Sequence, residues 1–234
     1  MTRTIFLGGR GGLHDALSNL LEDQGDQIVS YGRYEARAER GLRVEIPLDL
    51  VDAAAVERAE IEPADRLVWI AGAFVKQAHD RLPSDVIDGM LDLHLRGPMQ
   101  FLRRFLATGP GRPVQLVCAG SVSSWKARED EALYCAMKAA QATFTRGLAR
   151  EIVRDRPGSR TLIVHPGGMH VPNFFGDFVP SGRLLDPAAV ARFVVEEMQQ
   201  QSPFSEIQVM RRETPDGGVE MNIVRAPQTP ERPL

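Results

Sequence analysis

The sequence predicts an α/β protein built on a doubly wound, mainly parallel sheet of seven strands, with helices on both faces and an extra C-terminal β-hairpin. Strand-like and helix-like segments alternate through most of the 234 residues. The strands are short and continuously apolar, which is typical of a sheet covered on both faces. Because no linker divides the chain, we expect one domain over residues 1–225, followed by a loose proline-rich tail at 226–234.

Each predicted element is bounded by glycine, proline or capping residues. The expected strands are Thr4–Leu7, Gln27–Tyr31, Leu42–Ile46, Arg66–Ala71, Pro113–Cys118 and Thr161–His165, and the hairpin pairs Ile207–Arg211 with Val219–Val224. The expected helices are one from Leu13 to Gly25, a short one over Val51–Ala59, two long ones over Ser84–Phe105 and Ala132–Val153, and one that begins at Asp186-Pro187. Ser84 and Asp186 are the expected N-caps, with Pro187 in the first helical position.

Composition narrows the classes of partner and site. A formal net charge of −3 gives no reason to expect nucleic acid or an anionic membrane. No apolar run approaches the roughly 20 residues of a membrane helix, and the N-terminal segment lacks a signal-peptide core, so we expect a cytoplasmic protein. Cys118 and Cys135 are expected to be free thiols, and five histidines without ligand spacing predict no metal site.

A glycine turn, Gly8-Gly9-Arg10-Gly11-Gly12, joins the first strand to the first helix. Such a turn lets the backbone approach a pyrophosphate, which the free N–H groups of the helix then bind. Arg10 could add a charge-assisted contact to phosphate. His14 stands where a dinucleotide fingerprint has its third glycine, so either the helix begins slightly displaced or His14 faces the phosphates. The alternative is a plain tight turn.

The end of the second strand bears on the choice of cofactor. A protein that binds NAD(H) places an acidic residue there, on the ribose diol. This chain has Gly32 followed by Arg33, whose guanidinium could bind a 2′-phosphate. We therefore expect NADP(H), with a merely solvated Arg33 as the alternative.

Tyr134 and Lys138 lie four residues apart at the start of a predicted helix, and therefore on one face of it. A nearby ammonium should lower the tyrosine pKa from about 10 and make Tyr134 a usable acid or base near neutral pH. Ser121, just past the preceding strand, could hydrogen-bond a substrate carbonyl or alkoxide. A tyrosine and lysine at this spacing occur often by chance, but the upstream serine and glycine turn favour an active site.

Together these features resemble the short-chain dehydrogenase/reductase family, from Thr4 to about Arg211. The resemblance implies a Rossmann fold in which Ser121 orients the substrate, Tyr134 transfers a proton, and Lys138 binds ribose and tunes the tyrosine. It also implies a set of cofactor contacts that includes the glycine loop, the turn at the adenine, the end of the fourth strand and the Pro-Gly turn at the nicotinamide. These are Gly8, Gly12 with its neighbour Leu13, Asp49, Leu50, Ala71, Gly72, Pro166 and Gly167.

Several positions depart from the family pattern. Leu7, His14, Ile70 and Val171 replace a threonine, a glycine, an asparagine and a threonine, respectively. His94 aligns with the asparagine that the family uses in a water-mediated proton relay. Since histidine exchanges protons near neutral pH, His94 could replace that relay. The alternative is a packed histidine that only fills the helix face.

The segment after Pro166 should form one wall of the ligand cleft, beyond the carboxyl ends of the strands. Its phenylalanines suggest an apolar lid, to which Phe74 could add. The expected substrate contacts are Ser123, Trp125, His170, Phe174 and Phe175. They predict a small, partly apolar substrate, unless the aromatic residues pack against the core or a second subunit.

The leading functional hypothesis is an NADP(H)-dependent oxidoreductase that acts on a carbonyl or alcohol. A non-redox isomerase, dehydratase or cyclase on the same scaffold is one alternative, because fold does not fix function. A binding protein that senses NADP(H) without turnover is another. The two long helices resemble those that form four-helix interfaces in this family, so we expect a homodimer or homotetramer.

Overall fold

The computed structural model describes residues 1–171, 174–176, 178, 184–215 and 218–225. Its nine-stranded sheet has the order β3-β4-β2-β1-β5-β6-β7-β8-β9. Seven strands, from β4 to β8 in that order, run parallel, and β3 and β9 pair antiparallel at the two edges. The strands are β1 Arg3–Leu7, β2 Gln27–Gly32, β3 Ala38–Arg40, β4 Arg43–Pro47, β5 Arg66–Trp69, β6 Gln115–Ala119, β7 Arg160–Pro166, β8 Phe204–Glu213 and β9 Val219–Arg225.

Helices cover both faces of the sheet. They are α1 Gly12–Asp23, α2 Ala53–Arg58, α3 Ser84–Leu91, α4 Gly97–Ala107, α5 Ala132–Asp155 and α6 Pro187–Met198. Adjacent residues of β1 point to opposite faces, so Phe6 packs with α1 and α6 while Ile5 and Leu7 pack with α2, α4 and α5. The doubly wound architecture and the C-terminal hairpin are therefore confirmed.

The predicted long helix over Ser84–Phe105 is interrupted. A π-helical turn, Asp92–Arg96, separates α3 from α4, and the Gly97 N–H donates across it to the Asp92 carbonyl. Pro98 has no N–H to continue the regular ladder, which favours the wider turn. Ser84 was wrongly expected to be an N-cap: it is the first helical residue, and Pro83 holds the cap position without a side-chain hydrogen bond.

Two smaller differences concern strands and caps. β3 was not predicted, because three residues that include Glu39 and Arg40 carry no apolar pattern. β5 ends at Trp69 rather than Ala71, since the N–H groups of Ile70 and Ala71 both turn back to the Leu7 carbonyl. The predicted cap at Asp186 is confirmed, as its side chain accepts from the backbone N–H groups of the first turn of α6. The predicted tail, 226–234, lies outside the described residues.

Candidate functional site

The glycine turn lies at the carboxyl end of β1, where it meets β5. Gly8 has φ +123, and a Cβ there would lie 2.6 Å from the Ala71 nitrogen, so no larger residue fits. Gly11 takes the N-cap position of α1 without a side-chain hydrogen bond, which leaves N–H groups of the first turn free for an anion. Gly12 packs instead under Val171 and Pro187, each about 3.1 Å from where its Cβ would be.

His14 packs between α1 and β2. It is buried, with Nε2 3.0 Å from the Ser30 hydroxyl and Nδ1 2.8 Å from the Asp15 carboxylate. Burial lowers the pKa of His14, against the opposing effect of Asp15. At the position of the third glycine, His14 thus joins α1 to β2 through a hydrogen bond. His14 also lines part of the cleft.

Two adjoining cavities open along the carboxyl edge of the sheet. The inner cavity, of about 190 Å³, gathers most of the expected site residues. They are Gly8, Arg10, Leu13, Ala71, Gly72, Ser121, Ser123, Tyr134, Lys138, Pro166, Gly167, Phe174 and Phe175. The outer cavity, of about 630 Å³, is lined by Arg33, Asp49 and Leu50 together with Gly8, Arg10, Ala71 and Gly72, which the two cavities share. Gly12, His94, Trp125 and His170 line neither.

Charged side chains of both signs line the outer cavity, namely Arg10, Arg33, Arg37 and Arg40 with Glu35, Glu45 and Asp49. Arg33, Arg37 and Arg40 are exposed, and within the described residues Arg33 has no hydrogen-bond or ion-pair partner. Arg10 points away from the glycine turn: its Nη2 lies 2.7 Å from Oε2 of Glu45, and its guanidinium lies 5.6 Å from the centre of the Tyr34 ring. Arg10 lines both cavities from this position, and its contact with phosphate stays a prediction. Sequence reasoning missed Glu45 because it belongs to a neighbouring strand.

His94 lies in the π-helical turn, fully buried against the end of β5. Its Nε2 is 3.0 Å from the Ala73 nitrogen and 2.9 Å from the Ala73 oxygen, and its Nδ1 has no partner within the described residues. Gly72 makes room for the ring, because a Cβ there would lie 2.9 Å from Cε1 of His94. Burial, followed by the charge of Lys138, lowers the pKa of His94 to about 3, so the ring is neutral.

Ser121 follows β6 and caps a short 3₁₀ turn, Val122–Ser124, by accepting from the Ser123 N–H at 3.1 Å. Its backbone rests on a buried histidine, since Nδ1 of His165 lies 3.1 Å from the Ser121 oxygen and 3.3 Å from its nitrogen. The Ser121 side chain also hydrogen-bonds with Tyr134. The serine and the tyrosine are therefore brought together, as expected.

Tyr134 and Lys138 lie on the first turns of α5, 6% and 4% exposed. Burial raises the pKa of Tyr134 to about 12, and the hydrogen bond with Ser121 opposes it. The lowering of this pKa that we expected from Lys138 was therefore wrong for the chain alone, because desolvation of the phenol is the largest effect on it. The Lys138 Nζ donates to the Ala119 carbonyl at 3.1 Å and to Gln141 Oε1 at 2.9 Å, and burial lowers its pKa to about 8.

Glu206 and Arg146 form a chain of polar contacts that ends at His165. Its Nε2 lies 2.7 Å from Oε1 of Glu206 on β8, which also pairs with the Arg146 guanidinium at 2.6 Å. Burial acts to raise the pKa of Glu206, but hydrogen bonds from Arg146 and His165 outweigh it and lower that pKa to about 2. A bare histidine at a strand end gives no sequence signal for such a chain.

Aromatic rings form the outer wall of the inner cavity. The Phe74 ring lies 5.0 Å from Tyr134, 6.1 Å from Phe174 and 5.3 Å from Phe175, measured between ring centres. Trp125 is 43% exposed and packs edge-on against His165, and His170 is exposed, so neither joins this wall. Arg128 does line the cavity, although sequence reasoning missed it because a lone arginine in a loop carries no pattern.

The described residues add three observations on other kinds of site. No group of three or more His, Cys, Asp or Glu side chains among them gathers as a metal site requires. None of their helices combines the length and apolar character needed to cross a membrane. Cys118 and Cys135 are free thiols, as expected, and burial raises the pKa of Cys118 to about 11.

Known proteins resemble this chain over most of its length. An uncharacterized oxidoreductase of Staphylococcus aureus is 24% identical over 214 residues, which cover 85% of this chain and 91% of that protein. One of Staphylococcus epidermidis is 26% identical over 216 residues, with the same coverage of 85% and 91%.

Solved structures share the fold. A short-chain dehydrogenase/reductase from Serratia marcescens superposes with a TM-score of 0.72 at 20% identity and covers 89% of this chain and 95% of its own. A ketoacyl-(acyl-carrier-protein) reductase from Brucella melitensis, in complex with NADH, gives 0.74 at 19% identity, with 89% and 96% covered. The model of the short chain dehydrogenase family matches residues 3–175. The chain therefore belongs to the short-chain dehydrogenase family of oxidoreductases.

Proposed function

We propose that this protein is an NADP(H)-dependent oxidoreductase that interconverts a carbonyl and an alcohol on a small, partly apolar substrate. One observation carries the proposal: the glycine turn, Ser121, Tyr134 and Lys138 line the same cavity at the carboxyl edge of the sheet. In doubly wound folds this edge is where ligands bind.

The residues present fit a nicotinamide dinucleotide. Gly8 and the open N-terminus of α1 form a cradle for the pyrophosphate, and a Cβ at Gly8 would clash with the Ala71 backbone that closes this turn. The adenosine end would lie against Asp49 and Leu50, and the nicotinamide end beside Pro166 and Gly167. The remaining contacts would come from Gly12, Leu13, Ala71, Gly72 and Lys138. Once bound, the nicotinamide supplies or accepts the hydride, which protein side chains cannot do.

The arginines of the outer cavity favour a 2′-phosphate over a bare ribose. Arg33 is exposed and unpaired among the described residues, so its guanidinium is available to a phosphate. Glu45 would otherwise repel a phosphate, but Arg10 neutralises it at 2.7 Å. Arg10 therefore offsets Glu45, and it stays our candidate for a further contact with phosphate.

Tyr134 donates the proton that the substrate oxygen gains on reduction, and Ser121 holds that oxygen. With a pKa of about 12 the phenol stays protonated at neutral pH, which suits an acid rather than a base and favours carbonyl reduction. The ammonium group of Lys138 adds a positive charge to the wall of the cavity that Tyr134 also lines. His94 stays our candidate for the relay position, and its neutral ring can pass a proton only by exchanging tautomers.

Ser123, Phe174 and Phe175 line the cavity on the substrate side. The contacts of Trp125 and His170 with substrate stay predictions. A homodimer or homotetramer in the cytoplasm remains the prediction for the assembled protein, with no nucleic acid or membrane partner.

The test combines binding with turnover. We expect calorimetry to show tighter binding of NADPH than of NADH, and Tyr134→Phe to slow carbonyl reduction about 10²–10⁴-fold without changing NADPH affinity. Tyr31→Phe is the matched control, because the Tyr31 hydroxyl donates to the Glu60 carbonyl at 2.7 Å, away from both cavities.

Three results would contradict the proposal. Full turnover by Tyr134→Phe removes the tyrosine from the chemistry. Tight NADPH binding without hydride transfer across a panel of aldehydes and ketones favours a sensor or a non-redox enzyme. Failure to bind either nucleotide overturns the nucleotide site itself.

A further inference from the structure

We propose that the substrate carries a carboxylate, which Arg128 binds while the apolar body of the substrate packs against Phe74, Phe174 and Phe175. The inference rests on the proposed function and names the class of substrate: aromatic or aliphatic oxo acids and the corresponding hydroxy acids.

The charge of the inner cavity is the first argument. Its described lining contains the cationic side chains of Arg10, Arg128 and Lys138 and no carboxylate. Arg10 is committed to Glu45, and Lys138 to the Ala119 carbonyl and Gln141. Arg128 is therefore the cation left for a ligand at the substrate end.

Arg128 is held in place from behind. Its Nη1 lies 3.5 Å from Oε2 of Glu131, whose side chain is 6% exposed and also lies 3.9 Å from the Lys76 ammonium. The same loop carries Glu129 and Asp130, so it is the Arg128 guanidinium, and not the net charge of the loop, that is available to an anion. The Arg128 side chain is 40% exposed and has this one ion-pair contact within the described residues, so most of its five donors have no such partner there.

The loop that carries Arg128 is braced rather than free. The Gln77 N–H donates to the Asp130 carbonyl at 2.7 Å, and the Lys76 ammonium donates to the Glu129 carbonyl at 3.0 Å. Asp130 has φ +60, a left-handed conformation that costs a non-glycine residue free energy and persists where contacts fix it. A preorganised guanidinium loses less entropy on binding a carboxylate.

The position of Arg128 matches a ligand that also reaches Tyr134. Both side chains line the same cavity, Glu131 begins the helix on which Tyr134 lies, and the charge of Arg128 acts on the phenol. A carbonyl oxygen at Tyr134 and Ser121 can thus belong to the same small molecule as a carboxylate at Arg128. The Phe74 and Phe175 rings, 5.3 Å apart, then cover its apolar part.

The experiment compares each acid with its methyl ester, which keeps the ketone and the ring but removes the charge. Benzoylformate and benzoylpropionate, each beside its ester, are reduced by wild type, Arg128→Met, Arg128→Lys and the control Arg103→Met. Arg103 is an exposed arginine that pairs with Glu57 outside both cavities.

We expect wild type and Arg103→Met to prefer at least one acid over its ester by about tenfold or more in kcat/KM, since a charge-assisted bond contributes about 1.5–3 kcal/mol. Arg128→Met should abolish the preference, because KM rises far more for the acid than for its ester. Arg128→Lys should keep part of it. Equal kcat/KM for acids and esters in wild type, or a preference that survives in Arg128→Met, overturns the proposal.

A binding experiment tests the carboxylate site independently of the redox reaction. If neither acid nor ester is reduced, calorimetry with benzoylformate and with benzoylpropionate on the NADP⁺-loaded protein decides. Binding of an acid that is lost in Arg128→Met supports the carboxylate site while the proposed reaction fails. Binding that is absent, or equal in both proteins, overturns the site.

Discussion

The two halves of the cleft differ in how they use charge. In the inner cavity Tyr134 and Lys138 are buried, and burial raises the pKa of Tyr134 to about 12 and lowers that of Lys138 to about 8. In the outer cavity Arg33, Arg37 and Arg40 are exposed, and their charges are screened by water. We therefore expect substitutions in the inner cavity to change the rate of the reaction and its pH dependence. Substitutions in the outer cavity should change the affinity for the nucleotide.

Lys138 gives the largest expected effect. Because its pKa is lowered to about 8, its positive charge is present below that pH and is lost above it, whereas Tyr134 stays protonated throughout. We expect kcat/KM for reduction to fall as pH rises above about 8, and Lys138→Met to cost about 10²-fold or more at neutral pH. The measurement is a pH–rate profile with each variant checked for folding by thermal unfolding.

Lys138→Arg sharpens this test, because a guanidinium does not titrate in the accessible range. Whatever rate this variant keeps should show no decline above pH 8. A decline that persists would assign the titration to another group.

Arg33 gives an intermediate effect, confined to the outer cavity. Arg33→Ala removes a charge-assisted contact to the 2′-phosphate. We expect this variant to bind NADPH about tenfold to a hundredfold more weakly than wild type, with nearly unchanged affinity for NADH. Arg37→Ala is the matched control, because Arg37 already pairs with Glu39 at 2.7 Å. Calorimetry at two salt concentrations measures the affinity of each variant for NADPH and for NADH. If Arg33→Ala weakened the binding of NADPH and NADH equally, Arg33 would not be the residue that contacts the 2′-phosphate.

Glu206 gives the smallest effect, on stability rather than on turnover. Its folded-state pKa of about 2 lies below the ordinary 4.5, so its stabilising contribution is present above pH 4.5 and is lost as pH falls through 2. Glu206→Gln should therefore be less stable than wild type at neutral pH, by about 1 kcal/mol, with the gap closing in acid. Urea unfolding at neutral pH and near pH 3 measures it. A gap that stays constant would mean that the pair with His165 and Arg146 does not govern this titration.

Much of the fold could be predicted because the parallel strands carry continuous apolar runs and clear turn residues. The hairpin and the Asp186 cap follow from local signals of the same kind. β3 could not be predicted, since it depends on pairing with β4 and carries no apolar pattern of its own. The π-helical turn could not be predicted either, because a proline such as Pro98 is equally compatible with a kink or with the start of a new helix.

The site shows the same limit. Spacing along one helix brings Tyr134 and Lys138 together, but it does not reveal how deeply they are buried, and burial reverses the expected direction of the Tyr134 pKa. The pairing of Arg10 with Glu45 of β4 likewise carries no local sequence signal. Burial and partners supplied by other strands decide the surroundings of both side chains.

The antiparallel strands at the two edges of the sheet bear on how the protein avoids aggregation. An open edge of a long parallel sheet is a template onto which a second chain can add a strand. Here β3 is three residues long and places charged Glu39 and Arg40 on one edge, while β9 carries Glu220 and Arg225, paired with Arg212 and Glu197, on the other. Short length at β3 and fixed charges at both edges discourage fibrous growth from the sheet and leave the helical faces as the surfaces through which copies of the chain can associate.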